Sequence, residues 1–197
     1  FMLRGTVSRR VVAVFSDAHG RENRALEVLM RLNVCGTPAD AVFFLGDGLR
    51  GFQHALSGAF PLTAVRGNCD GSLYPCFDDD GNEIPEERQV TVGSFRVLLM
   101  HGHTQEVKSH IGRAARRGLA ADADVVLFGH THTPLCERVD DPLLLGMSEE
   151  EGKALEAAGR SLADRPLYLF NPGALCLGSF GLLTVQGNEI LLSHGTV

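Results

Sequence analysis

The sequence lacks the signals of several protein classes. Its five cysteines form no Cys-x-x-Cys pair, and an odd number of thiols does not suggest a disulfide framework. No apolar stretch is long enough to span a membrane, and internal repeats and low-complexity tracts are missing. We therefore expect a single cytoplasmic domain over residues 1–197, with no membrane partner.

Positive charge is also in short supply. The chain has 18 Lys and Arg residues against 24 Asp and Glu residues, a formal net charge of −6 at pH 7. A broad electrostatic footprint for nucleic acid is therefore not expected, although a metal site can bind phosphate locally in an acidic protein. A small phosphate-bearing substrate suits this composition better than extended nucleic acid.

A first motif follows the apolar run from Val11 to Phe15. Asp17 and His19 are separated by one residue, so an extended chain would point both side chains to the same side. A carboxylate oxygen and an imidazole nitrogen placed this way can converge on one metal ion. Because such a pair often occurs by chance, it gains weight only if the pattern recurs elsewhere.

Four further apolar runs are followed by side chains of the same kind. They cover residues 41–45, 61–65, 95–100 and 124–128, and each is followed within a few residues by Asp, Asn or His. Ligands bind at the carboxyl ends of the strands in open α/β sheets. If the five runs form two sheets that share this edge, their polar side chains can meet in one cleft. These side chains are Asp17, His19, Asp47, Asn68, His101, His130 and His132.

This set of side chains suits two metal ions better than one. Seven ligands, three of which offer oxygen only, are too many for one tetrahedral zinc ion but suit two adjacent ions that share a bridging carboxylate. Such ions lie about 3.5–4 Å apart, hold a bridging water as hydroxide near neutral pH, and stabilise the attacking and leaving oxygens at phosphorus. The sequence therefore predicts a dinuclear centre that hydrolyses a phosphoric ester by in-line attack of the bridging hydroxide.

The ordered set of motifs resembles the calcineurin-like metallophosphoesterase superfamily. The motifs are Asp17-x-His19, Gly46-Asp47, Gly67-Asn68-x-Asp70, His101-Gly102-His103 and Gly129-His130-x-His132. The match runs from Val11 to Pro134, with an echo at Asn171-Pro172-Gly173. The short chain and the Gly-Asn-Cys-Asp sequence are similar to the small prokaryotic phosphodiesterase branch. That branch also includes inactive, protein-binding relatives found in retromer.

The resemblance implies an α/β fold, a four-layer αββα sandwich of two mixed β-sheets flanked by helices. It implies that the first ion is held by Asp17, His19, Asp47 and His132. The second ion would be held by Asp47, Asn68, His101 and His130, with Asp47 as the bridge. Manganese is the expected ion, with iron, zinc, nickel and cobalt as alternatives.

Cys69 departs from the pattern of the superfamily's phosphomonoesterases. Those enzymes have a histidine at this position, which is proposed to protonate the leaving oxygen. A thiol with an ordinary pKa of about 8.5 is a poorer general acid at neutral pH than an imidazole with a pKa of about 6.5. We therefore expect a phosphodiester substrate. Cys69 is expected to line the site, and its chemical role stays open.

The predicted substrate contacts depend on weaker patterns. Ala174 stands where the family usually has the serine of an Asn-Pro-Gly-Ser motif, and the Pro-Arg that often follows that motif is missing. An expected phosphate-binding arginine is therefore absent. Arg50 or Arg66 could substitute, although either could simply face solvent. His103 is predicted to contact the substrate or support a ligand. Asp70 either orients its loop through a hydrogen bond or is an ordinary turn aspartate. The predicted catalytic set is Asp47, Asn68, Cys69, Asp70 and His103.

Two helical segments lie outside these motifs. The chain from Gln105 to about Ala121 is predicted to be a basic amphipathic surface helix. Capping-box spacing at Ser148 predicts a helix through about Ala163, within a helical insertion at about residues 140–166. This insertion could cover the site or form the interface of a homo-oligomer, and packing on the surface is the simpler expectation.

The leading hypothesis is a cytoplasmic, metal-dependent phosphodiesterase that acts on a small substrate. The alternative is a catalytically weak scaffold that keeps the fold and binds proteins, as the retromer relatives do. A phosphomonoesterase is a third hypothesis, which Cys69 disfavours. The intact set of seven ligands favours the enzyme over the scaffold.

Overall fold

Ten strands form two five-stranded sheets in the part of the chain that the computed structural model describes, residues 8–71 and 75–197. The strands are β1 Arg9–Phe15, β2 Ala41–Phe44, β3 Leu62–Ala64, β4 Glu87–Val92, β5 Phe95–Met100, β6 Val125–Leu127, β7 Leu135–Val139, β8 Leu167–Asn171, β9 Ser179–Gln186 and β10 Glu189–Thr196. The helices are α1 Asn23–Val34, α2 Leu49–Leu56, α3 Ile111–Ala120 and α4 Glu149–Ala157, with short 3-10 helices at Pro142–Leu145 and Leu175–Leu177.

Both sheets are mixed, and their central strands are parallel. The first sheet has the order β10-β9-β1-β2-β3, in which β1, β2 and β3 run parallel. The second has the order β4-β5-β6-β8-β7, in which β5, β6 and β8 run parallel. Parallel strands bring their carboxyl ends to one edge of the sheet, where polar side chains from separate parts of the chain can meet.

Alternation along β1 explains why the two sheets stack with helices outside them. Val12 and Val14 pack into the apolar cluster between the sheets, whereas Phe15 packs with Val28 of α1 and Phe52 of α2 on the other face. Strands that are apolar on both faces must be covered on both faces. The first sheet therefore has helices on one side and the second sheet on the other.

The second sheet is covered in the same way. Leu98 and Val126 turn away from the first sheet and pack against Ala114 and Ala115 of α3. The resulting order of helices, sheet, sheet and helix is the αββα sandwich that the motifs implied. The parallel strands thus form the interior, and the edge at their carboxyl-terminal ends remains accessible.

The helix predicted from Gln105 begins later than expected. Residues 103–109 form turns, and α3 begins only at Ile111. Glu106 has a φ of 52°, a left-handed backbone that an α-helix cannot contain. Val107 is buried because it packs directly over Gly102, and it does so from a turn and not from the face of a helix.

The helix predicted within residues 140–166 ends earlier than expected. Its capping box is present, with Ser148 and Glu151 bonded reciprocally, but α4 stops at Ala157 rather than near Ala163. The helix is terminated by Gly159, whose φ of 87° is left-handed, and the Arg160 N–H donates to the Leu155 carbonyl at 3.1 Å. The buried Arg160 side chain then donates to the Ala123 carbonyl at 2.9 Å. Whether residues 140–166 are an insertion stays a prediction. In the described residues, no helix combines the length and apolarity that a membrane crossing requires.

Candidate metal centre

Six of the seven predicted ligands converge at the shared edge of the two sheets. Asp17 and Asp47 follow β1 and β2 of the first sheet, whereas His101 and His130 follow β5 and β6 of the second. The converging residues are Asp17, His19, Asp47, His101, His130 and His132. Residues that are far apart in sequence therefore meet in one cleft, as the strand ends predicted.

The ligand-bearing turns have an unusual backbone. Five of the predicted ligands have left-handed φ angles, between 42° and 66°. They are Asp17, His19, Asp47, His130 and His132. Such angles are uncommon for residues other than glycine and cluster at functional sites, where the surrounding structure holds them. These turns direct the side chains into the cleft instead of along the strand.

Two glycines of the motifs make room for the carboxylates. A Cβ atom at Gly129 would lie 1.8 Å from Ser16 Oγ, and one at Gly67 would lie 2.1 Å from Asp47 Oδ1. Both contacts are far closer than van der Waals separation, so neither position has space for a side chain. The glycines of Gly-His-x-His and Gly-Asn-x-Asp are therefore explained by the close approach of the aspartates.

Asp17 presents one carboxylate oxygen to the protein and one to the cleft. Oδ2 accepts hydrogen bonds from the Ser16 hydroxyl at 2.5 Å and from the His130 backbone N–H at 3.1 Å. Oδ1 is buried and has no hydrogen-bond partner among the described residues. It lies 3.0 Å from His132 Nε2 and 3.7 Å from His19 Nε2. A buried oxygen without a donor is costly, and a cation between these three groups would satisfy it.

His101 is oriented by a backbone carbonyl. Its Nδ1 lies 2.7 Å from the Leu45 oxygen, which can only accept, so Nδ1 carries the proton. In the neutral ring, Nε2 is left with a free lone pair. This atom lies 3.3 Å from Asp47 Oδ2 and 3.2 Å from His130 Nδ1. The three donor atoms thus face one another, as ligands of one ion would.

The donor atoms fall into three groups, within each of which all the atoms lie within 4.8 Å of one another. The groups are Asp17, His19 and His132; Asp47, His101 and His130; and His19, Asp47 and Cys69. Carboxylate and imidazole donors fit divalent ions such as manganese, iron or zinc. The first two groups agree with the two ligand sets expected from the motifs, and the dinuclear arrangement itself remains a prediction.

Charges in the cleft shift the pKa values of its groups in opposite directions. Burial alone would raise the pKa of Asp47, but contact with His101 and the Cys69 N–H outweighs it and holds that pKa below its usual range. Burial would lower the pKa of His101, but Asp47 and Asp17 outweigh it and raise that pKa. Burial and the charge of His101 together lower the pKa of His130 from 6.5 to about 4. His130 is therefore neutral at pH 7, the state in which it can bind a metal ion.

The comparison with protein families agrees with this geometry. The model of the calcineurin-like phosphoesterase superfamily domain matches residues 11–188. The chain belongs to the calcineurin-like phosphoesterase superfamily. Divalent metal ions are a property of this superfamily, and the ligand clusters of the cleft lie within the matched region.

Individual relatives within the superfamily carry related names. A probable metallophosphoesterase of Bacillus subtilis is 30% identical over 122 residues, 61% of this chain and 63% of the relative. A protein of Methanocaldococcus jannaschii named as a phosphodiesterase is 26% identical over 151 residues, 70% of this chain and 82% of the relative. The match thus spans less than two thirds of the Bacillus protein.

A solved structure shares the fold at lower identity. A Vps29 single mutant from Entamoeba histolytica superposes with a TM-score of 0.65 at 19% identity, over 94% of this chain and 92% of that chain. Identity this low shows a common fold and carries no information on activity. The superfamily fold therefore accommodates proteins with different names.

Asp70 of the superfamily motif is bonded to the backbone around Asp47. Its carboxylate accepts from the N–H groups of Asp47 at 2.7 Å, Gly48 at 2.9 Å, Leu49 at 2.8 Å and Gly67 at 2.8 Å. These bonds agree with the loop-orienting alternative, and they also cap the start of α2, which the sequence analysis did not anticipate. A catalytic contribution of Asp70 stays a prediction.

Arg66 is held by carboxylates in this structure. Its guanidinium lies 3.2 Å from Glu83 Oε1 and 3.4 Å from Glu86 Oε1. A substrate phosphate would have to displace one of these pairs, so the contacts do not favour the predicted substrate role. His103 Nε2 lies 4.0 Å from the same Glu86 oxygen, at the edge of the cleft. Arg50 is exposed in the first turn of α2, and its substrate role stays a prediction.

Asn68 and Cys69 lie side by side on the exposed rim. The Asn68 amide nitrogen donates to Cys69 Sγ at 3.3 Å, and the Cys69 N–H donates to Asp47 Oδ1 at 2.8 Å. Binding of a metal ion through the Asn68 oxygen stays a prediction. Desolvation, with the hydrogen bond and charge of Asp47, raises the pKa of Cys69 from 9.0 to about 11. The thiol therefore keeps its proton at neutral pH when no ion is bound.

The structure adds a supporting residue that the sequence analysis noted only as an echo of the family. The buried Asn171, at the end of β8, donates to the Gly129 carbonyl at 2.9 Å and to Thr131 Oγ1 at 3.0 Å. It therefore braces the turn that carries His130 and His132. The signal was present in the Asn-Pro-Gly sequence after an apolar strand, but its partner could not be named without the fold.

Proposed function

We propose that this chain is a metal-dependent phosphodiesterase that hydrolyses a small phosphodiester. The observation that carries the proposal is the buried Oδ1 of Asp17, which has no hydrogen-bond partner among the described residues, lies beside two imidazoles and is 4.0 Å from His101 Nε2 of the His101 and Asp47 pair. Such a concentration of carboxylate and imidazole donors at a shared strand edge is a binding site for cations. The membership in a phosphoesterase superfamily supports the reaction class.

Two divalent ions would supply the positive charge that ionises a water molecule and neutralises the phosphoryl oxygens. Asp17, His19 and His132 would hold one ion, and Asp47, His101, His130 and Asn68 the other, with Asp47 shared. The Leu45 carbonyl fixes the proton of the neutral His101 ring on Nδ1, so that Nε2 is available to an ion, and Asp70 keeps the Asp47 turn in place. We propose manganese as the ion, as the resemblance to the superfamily implies, and the carboxylate and amide oxygens of the site suit it.

Cys69 favours a diester over a monoester. A thiol, whose ordinary pKa is about 8.5, is less well matched than an imidazole to donate a proton near neutral pH. Hydrolysis of esters whose leaving oxygen requires a proton should therefore be slow. The Arg66 side chain is paired with two glutamates, so it could bind the second negative charge of a monoester only by breaking one of these pairs.

The cellular setting is proposed from the same features. The five cysteines are free thiols, which suits a reducing cytoplasm. The net charge of −6 supports a small substrate over extended nucleic acid. A homo-oligomer is also proposed, and the surface of residues 140–166 could form its interface.

The experiment compares two aryl esters with metal-free protein supplied with Mn²⁺. We expect faster hydrolysis of bis(p-nitrophenyl) phosphate than of p-nitrophenyl phosphate. Asp47→Asn should remove most of the rate, whereas Asp79→Asn, on the exposed acidic loop, should leave it unchanged. A protein that binds Mn²⁺ without turnover, with Asp47→Asn indistinguishable from it, would instead identify a scaffold of the same fold.

A further inference from the structure

The third group of donor atoms adds one residue, Cys69, to members of the first expected ligand set. It joins His19 of the first set and Asp47, the shared carboxylate, to Cys69. All three donor atoms lie within 4.8 Å of one another, close enough for one ion after small side-chain movements. The Cys69 backbone is fixed in this place, because its N–H donates to Asp47 Oδ1 at 2.8 Å.

A second observation places a cation in the same space independently of the thiol. Asp17 Oδ1 is fully buried, has no hydrogen-bond partner among the described residues, and lies 3.7 Å from His19 Nε2. Asp47 Oδ2 lies 3.9 Å from the same nitrogen. The His19 nitrogen is therefore flanked by two carboxylates, and Cys69 stands beside the position where an ion would neutralise them.

We propose that Cys69 is an additional metal ligand, whose sulfur binds the ion at His19 when that ion is thiophilic. This inference rests on the proposed metal centre and extends it to the choice of ion. Sulfur, imidazole and carboxylate are the donors that zinc takes in proteins, whereas manganese favours oxygen donors. Binding forms a metal–sulfur bond and breaks the S–H bond, and the proton passes to solvent, so no oxidant or reductant is needed.

The Asn68 amide is placed to support such a bond. It already donates to Cys69 Sγ at 3.3 Å. A hydrogen bond to a coordinating atom orients it and adjusts its basicity, as is common for groups around metal ligands. With sulfur on the ion at His19, the Asn68 amide nitrogen would support that sulfur, while the Asn68 oxygen remains available to the second ion.

The consequence is that the identity of the ion decides whether the site is open. A catalytic metal keeps a position for water, whereas a site filled by protein ligands is closed. Manganese would leave the position beside Cys69 to water. Zinc or cobalt would take the thiolate there, and the protein would hydrolyse esters more slowly with these ions than with manganese.

The test is a titration of metal-free protein with Co²⁺, followed by absorption. We expect a thiolate-to-cobalt charge-transfer band in the near ultraviolet, together with the visible bands of bound cobalt. Cys69→Ser should lose the ultraviolet band, keep the visible bands, and bind Co²⁺ at least about tenfold more weakly. Cys35→Ser, an exposed thiol at the far end of α1, should behave as the parent protein.

The outcomes separate this inference from the proposed function. Visible cobalt bands without a thiolate band in the parent protein would overturn the role of Cys69 and leave the metal centre standing. The same holds if the ultraviolet band survives in Cys69→Ser. A parent protein that binds no cobalt would overturn the metal centre and this inference with it. Mn²⁺ binding by Cys69→Ser, expected to stay within a few fold of the parent, verifies that the variant is folded.

Discussion

The Nε2 atom of His101 lies 3.3 Å from the Oδ2 atom of Asp47, and this contact joins the two sheets at the metal-binding edge. Asp47 follows β2 of the first sheet and His101 follows β5 of the second. Both side chains are buried, and the His101 ring is further fixed by the Leu45 carbonyl. The cleft is therefore part of the packing between the sheets, and changes in it should affect stability as well as metal binding.

Replacement of His101 tests this link. His101→Ala would leave the Leu45 carbonyl and the Asp47 carboxylate without their buried partner, and we expect a loss of about 1–3 kcal/mol in the free energy of unfolding. Urea denaturation of the metal-free protein measures it. His54→Ala, on the exposed side of α2, should change the stability little. Equal stabilities of the two variants would show that the contact contributes nothing to folding.

The stability of the metal-free protein should decrease as the pH is lowered, because of His130. Its pKa is lowered from 6.5 to about 4 in the folded state, so below pH 6.5 the unfolded chain takes up a proton that the folded chain does not. This contribution is zero at high pH and becomes increasingly unfavourable as the pH falls from 6.5 towards 4. His130→Gln removes it, so the variant should lose less stability than the parent over this range. Parallel curves of unfolding free energy against pH would contradict the assignment.

Asp70 should be more important for structure than its position in a turn suggests. Asp70→Ala leaves four backbone N–H groups without their acceptor, and we expect a loss of about 1–3 kcal/mol together with weaker Mn²⁺ binding. Thermal unfolding and a metal titration measure the two effects. Asp79→Ala, a matched change on the exposed acidic loop, should show neither. Unchanged metal affinity in Asp70→Ala would mean that the Asp47 turn keeps its shape without these bonds.

The thiol at position 69 should limit hydrolysis of monoesters. Cys69→His introduces an imidazole whose ordinary pKa of about 6.5 suits proton donation near neutral pH. We expect the rate ratio of monoester to diester to rise by about tenfold or more, because a well-positioned general acid typically contributes about 10²–10⁴-fold. Cys69→Ser, which offers no such acid, should leave the ratio low. A ratio that stays the same in both variants would remove proton donation from the explanation of specificity.

Gly129 should not accept even one methyl group. A Cβ atom there would lie 1.8 Å from Ser16 Oγ and 2.9 Å from Asp17 Oδ2, so Gly129→Ala must move the first metal-binding turn. We expect a loss of about 1–3 kcal/mol, the usual effect of overpacking. Gly112→Ala in α3, where the nearest atom would be 3.5 Å away, is the matched control. Thermal unfolding of the two variants compares them directly, and equal melting temperatures would contradict the close approach.

Local patterns were sufficient where a feature depends on neighbours in the sequence. The apolar runs became strands because they are apolar on both faces, and the capping box at Ser148 formed because its two partners are three residues apart. They were less successful at the ends of helices. Turns over residues 103–109, with a left-handed Glu106, replace the first turns of the helix expected from Gln105, so α3 begins at Ile111. The end of α4 is set by the left-handed Gly159, which the boundary expected near Ala163 did not take into account.

The sequence by itself determined the family and the donor atoms at the strand ends, since the ordered motifs and the apolar runs before them are local features of the chain, and the resemblance to the family in turn implied the layered architecture. Only the tertiary structure decided which donors face one another, that Asp17 Oδ1 is buried without a partner, and that Arg66 is already paired with two glutamates. The physical reason is that ion pairing, burial and the space at Gly129 depend on atoms that are distant along the chain, 17 residues apart for Arg66 and Glu83 and 113 for Asp17 and His130. No periodicity along the chain records those distances.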